Sequence, residues 1–119
     1  MRPWQSPGII YNKEIQMKIY NKLVRDRIPE IIEKQGKICH YEVMSDDAYK
    51  AALNAKLTEE LKEYHESGEL EELADLLEVI YAIAESRGET PESLNALAAE
   101  KALARGRFQE KCLLLSVEE

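Results

Sequence analysis

Between Ile28 and Ala104 apolar residues recur at helical spacing, and glycine, proline and hydroxyl residues punctuate the runs. Pro29 predicts a helix starting near Ile28, because its missing N–H has no helical partner to lose in the first turn, and Gly36 ends it. Ser45 caps a second helix that runs to about Ser67, with Asp46 and Asp47 at the positive end of its dipole. Gly68 marks a turn, and the next helix covers about Glu69 to Ser86 before Gly88. Thr90 caps the last helix, with Pro91 at its first position. It runs to about Ala104 before Gly106 and has Leu94, Leu97, Ala98 and Leu103 on one side.

Two stretches do not follow this period. Ile38–Met44 shows partial alternation, and Phe108–Val117 contains an apolar run, Cys112 to Leu115, too short for a helix of its own. Together they predict one short two-stranded extended element. Residues 1–17, with Pro3, Pro7 and Gly8, read as an irregular leader, which leaves residues 18–119 as the domain. The expected fold is therefore mainly all-α, a bundle built on an antiparallel helix pair joined at Gly68.

That helix pair carries most of the chain's unusual chemistry. On a wheel of about 100° per residue, Leu53, Leu57, Leu61 and Tyr64 share one sector, with Glu60 at its edge and Glu63 one turn on. Glu59 and Glu66 point away. In the following helix Glu71, Glu78 and Glu85 form an outward stripe, whereas Glu72 and Asp75 project among Val79, Ala82 and Ile83. Glu60 and Glu63, and Glu72 and Asp75, thus form two i, i+3 pairs on or beside apolar faces. Gathering four such charges is costly unless a cation pairs with them, and all-oxygen donors suit a hard divalent ion. The competing reading is of ordinary amphipathic helices with boundary carboxylates.

Composition narrows the field. A chain of 119 residues, 45% hydrophobic and 33% charged, is one globular domain. A net charge of −7 argues against an electrostatic grip on nucleic acid or anionic membrane. No apolar run approaches a membrane span and no secretory signal is visible, so a cytoplasmic location with reduced Cys39 and Cys112 is expected. His40 and His65 have no partner at metal-ligand spacing. Two local groups of cations run against the overall charge: Lys22, Arg25 and Arg27 early on, and Lys101, Arg105 and Arg107 around Gly106. Either group could meet an anion, and Arg105 is also explained by the helix dipole.

Three segments in order carry a family resemblance. Glu59-Glu60-x-x-Glu63 followed by Glu72-x-x-Asp75 resembles the MazG-like all-α nucleoside triphosphate pyrophosphohydrolases. Tyr20 to Ile32, YNKLVRDRIPEII, is similar to the opening signature of the phosphoribosyl-ATP pyrophosphohydrolase-like branch. Lys101 to Phe108, KALARGRF, is similar to its closing pattern, with Arg107 where a second glycine stands. The resemblance covers about Tyr20 to Leu115.

It implies Mg²⁺, or Mn²⁺, on Glu60, Glu63, Glu72 and Asp75. It also implies cleavage of a (deoxy)nucleoside triphosphate to monophosphate and pyrophosphate, in a homodimer or dimer of dimers. Glu59 is then the candidate proton acceptor. Lys101 is the catalytic cation and binds phosphate with Arg105, while Asn21, Lys22 and Arg25 contact the nucleotide. Two alternatives are hydrolysis of phosphoribosyl-ATP in histidine synthesis and a non-catalytic helical oligomerisation module.

Overall fold

The computed structural model describes residues 10–11 and 16–119, and its regular structure is predominantly helical. Among these residues are four helices: α1 (Ile28–Lys34), α2 (Asp46–Ser67), α3 (Leu70–Ser86) and α4 (Pro91–Arg105). Two-residue strands β1 (Ile10–Tyr11) and β2 (Gln16–Met17) pair antiparallel, with Ile10 opposite Met17. By its internal contacts the chain divides into two compact units, Met1–Ser45 and Asp46–Glu119. The rest of the expected leader, residues 1–9 and 12–15, lies outside the described residues.

In the first unit Pro29 occupies the opening turn of α1, as its fixed φ favours. Glu30 pairs with Lys34 at 3.1 Å and with Arg27 at 3.3 Å, both exposed. These pairs give a short helix a few tenths of a kcal/mol each, roughly, and no more. After Lys34 the backbone N–H groups of Gln35 and Gly36 return to the carbonyls of Ile32 and Glu33 and close the helix.

The second unit is built on α2 and α3. Gly68 adopts φ +67° and its N–H reaches the Tyr64 carbonyl at 2.8 Å, which ends α2 in a left-handed turn that favours glycine. Glu69 donates its N–H to Ser67 Oγ at 3.2 Å, and α3 begins at Leu70. The two-residue link folds α3 back along α2. Leu53 of α2 and Val79 and Ala84 of α3 are the buried apolar residues. Leu57 and Tyr64 are half-buried as the wheel predicts, but Leu61, placed in the same sector, is 43% exposed.

A reciprocal capping box starts α4. Ser93 N–H donates to Thr90 Oγ1, and Thr90 N–H donates to Ser93 Oγ, each at 3.0 Å. The Tyr81 hydroxyl and the Asn95 side-chain amide hydrogen-bond at 3.1–3.2 Å and tie the first turns of α4 to α3. Beyond that tie α4 is mostly exposed. The apolar side expected for it does not pack among the described residues: Leu94 is half-buried, but Leu97, Ala98 and Leu103 are exposed, Leu103 at 91%.

One expectation is corrected. Neither Ile38–Met44 nor Phe108–Val117 forms a strand. The tail enters through a turn in which Lys111 takes φ +59°, which interrupts an extended run at its start. Ile38 and Val43 are exposed, so their partial alternation serves no buried sheet face. The pairing that does form, β1 with β2, lies near the other end of the chain. No helix among the described residues is long and apolar enough to cross a membrane.

Candidate metal centre and anion groove

The turn at Gly68 sets the last two turns of α2 against the first two of α3, the segments that carry the acids. Two overlapping groups result. Ligand oxygens of Glu59, Glu60 and Glu63 lie within 4.8 Å of one another, as do those of Glu60, Glu72 and Asp75. The structure therefore brings the four residues predicted as ligands together, with Glu60 common to both groups. Glu59 joins them, contrary to its expected outward direction. It stands four residues from Glu63, so the two share a flank of α2, and Glu59 is half-buried. Glu66, Glu69, Glu71 and Glu78 are exposed, as the wheel predicts.

Glu60 is the unusual member. It is buried, at 7% exposure, whereas Glu63, Glu72 and Asp75 are half-buried. Its Oε1 faces Lys56 Nζ at 3.6 Å, while its Oε2 is buried with no hydrogen-bond partner. Burial raises the pKa of its carboxyl above the ordinary glutamate range. The nearby Glu63 carboxyl adds to this, its charge included. Lys56 opposes the rise and Asp75 adds to it. Such an oxygen, on an acid surrounded by acids, is an acceptor without a donor.

Two side chains that the helical wheel did not single out complete the surroundings. Lys56 Nζ lies 3.5 Å from Glu59 Oε2 as well as 3.6 Å from Glu60, and its side chain is only 19% exposed. Its signal in the sequence was the i, i+3 and i, i+4 spacing to two acids. Ser67 donates from Oγ to Glu72 Oε1 at 3.4 Å, which links the helix turn to the centre. Every side chain in the two groups offers oxygen, and neither Cys39 nor Cys112, both free thiols, belongs to them. That donor set fits a hard divalent cation such as Mg²⁺ or Mn²⁺, and the partnerless Glu60 Oε2 leaves a lone pair for it.

The cations at the end of α4 form a separate feature. An open groove of about 650 Å³ is lined by Lys101, Arg105 and Arg107, with Asn95, Phe108 and the small residues between them. None of the five carboxylates lines it. Lys101 and Arg105 are thus together, and Arg107 and Phe108 from the closing motif join them. Gly106, φ +81°, carries the chain from α4 into this rim, and Phe108 is 98% exposed. Asn21, Lys22 and Arg25 belong to the first unit and are exposed on it. Asn21 takes φ +46°, a left-handed backbone that asparagine tolerates better than most residues.

No family model and no solved structure matches the chain. An uncharacterized protein of Mycolicibacterium smegmatis (strain ATCC 700084 / mc(2)155) is 55% identical over 42 residues. That stretch is 35% of this chain and 43% of the relative, so the likeness spans less than half of either.

Proposed function

We propose that the α2–α3 centre binds Mg²⁺, or Mn²⁺ in its place, and that the protein hydrolyses a (deoxy)nucleoside triphosphate to the monophosphate and pyrophosphate. The observation that carries the reading is Glu60: a buried carboxylate with one partnerless oxygen, at the junction of two carboxylate groups. Resemblance to the MazG-like pyrophosphohydrolases in three ordered segments supports it and supplies the reaction.

Glu60, Glu63, Glu72 and Asp75 hold the cation. When bound, the cation offsets charge on the phosphate oxygens and makes an attacking water easier to deprotonate. Glu59, at the rim of the centre and paired with Lys56, takes the proton from that water. Lys101 and Arg105, with Arg107 beside them, supply positive charge where the phosphates rearrange. The resemblance also assigns nucleotide binding to Asn21, Lys22 and Arg25. The exposed apolar residues of α4 favour an assembly of two or four copies.

The test is a panel of (d)NTPs and phosphoribosyl-ATP, assayed with Mg²⁺ by release of monophosphate and pyrophosphate. At least one (d)NTP should be cleaved, and Glu60→Gln should lower the rate at least about 100-fold. Cleavage of phosphoribosyl-ATP alone would replace the substrate. No turnover together with no Mg²⁺ binding would leave a helical interaction module.

A further inference from the structure

Lysines on α2 fall into two kinds. Lys62 lies 4.0 Å from Glu66, with both side chains more than half exposed, an ordinary surface pair of little energetic consequence. Lys56 is different, because its side chain is only 19% exposed and its ammonium lies between two acids of the centre. Fixing that flexible side chain in one place costs conformational entropy, so the placement calls for a reason. Neutralising the centre is not a sufficient reason, because Lys56 pairs with two of its five carboxylates, Glu59 and Glu60. The geometry supplies another. Contacts at 3.5 and 3.6 Å are ion pairs longer than good hydrogen bonds, so Lys56 acts by direction of charge. It engages Glu60 through Oε1, and the oxygen left without a partner is Oε2.

We infer that Lys56 is a positioning residue of the carboxylate centre: it draws Glu60 Oε1 and Glu59 Oε2 to itself and so leaves Glu60 Oε2 to face a divalent cation. This rests on the metal reading above. It assigns the lysine a role toward the cation that simple electrostatics would not. As a bare charge, Lys56 repels a divalent ion, and its removal should tighten binding. As a positioning group it behaves like other outer residues that orient ligands, and its removal should weaken binding. The two accounts predict opposite signs.

Mn²⁺ binding to the full-length protein, followed by the loss of the free-ion paramagnetic resonance signal, separates them without recourse to activity. The comparison uses wild type, Glu72→Gln, Lys56→Met and Lys56→Arg, each with the wild-type circular dichroism spectrum. Wild type should bind and Glu72→Gln should lose binding. Lys56→Met should bind roughly tenfold more weakly or worse, while Lys56→Arg, which keeps the charge, recovers most of the loss. If Lys56→Met does not fold, Lys56→Gln takes its place with the same expectation. Unchanged or tighter binding by the uncharged variant, with wild type binding and Glu72→Gln not, overturns the role of Lys56 alone. Absence of Mn²⁺ binding by wild type overturns both this role and the metal centre.

Discussion

At the scale of single residues, Glu60 is the point of tension. Its pKa is raised in the folded chain, chiefly by burial. Below the ordinary glutamate value of about 4.3 the group is protonated folded or unfolded and costs nothing. As pH rises past that value the unfolded chain gives up the proton first. The folded chain then binds more protons than the unfolded one, and stability falls until Glu60 ionises in the folded state too. The metal-free protein carries the whole penalty once pH has passed the raised folded value. Glu60→Gln in chelator should therefore unfold at a higher temperature than wild type at pH 7, by about 1 kcal/mol or more. The advantage should shrink as pH falls toward 4. With Mg²⁺ the order should reverse, since only wild type gains, about 2.7 kcal/mol at a hundredfold excess over the dissociation constant. Thermal melts at two pH values, with and without Mg²⁺, check both signs. Glu60 was legible from its place beside Leu53 on the wheel. Lys56 and Glu59 were not, because a wheel records the direction of Cβ, and a long side chain then swings along the helix toward an opposite charge.

At the scale of elements, the hairpin turn is the decisive piece. Helix limits were readable within a residue or two from Pro29, Gly68, Thr90 and Gly106, whose backbone demands are local. Pairing of extended segments was not, because it depends on a partner distant in sequence and a face to bury, and Ile38–Met44 has neither. Gly68→Ala isolates the backbone contribution of the turn. A Cβ there meets no heavy atom within 4 Å, so no clash is added and only the left-handed φ of +67° is penalised. The variant should lose about 1–2 kcal/mol, read as a lower urea midpoint with an unchanged m-value. A turn that relaxed freely would show no loss.

At the scale of the whole molecule, apolar surface outruns what one chain covers. Leu70, Leu97, Leu103, Phe108 and Leu113–Leu115 are all more than half exposed, while the buried apolar set among the described residues is Leu53, Val79 and Ala84. The pattern of α4 announced an apolar side, but no pattern within one sequence says which surface that side meets. Sedimentation should accordingly give a mass of two or four times 13.7 kDa, and Leu97→Glu with Leu103→Glu should shift it toward one. A monomeric wild type at micromolar concentration would defeat this expectation.

The turn at Gly68, with Ser67 bonded across it to Glu72, has a kinetic meaning as well. All five carboxylates lie between Glu59 and Asp75, so the centre is assembled by closing one short loop rather than by a long-range search. Like charges converge in the same motion that forms the hairpin. Added salt, which screens that repulsion, should therefore speed closure of the hairpin.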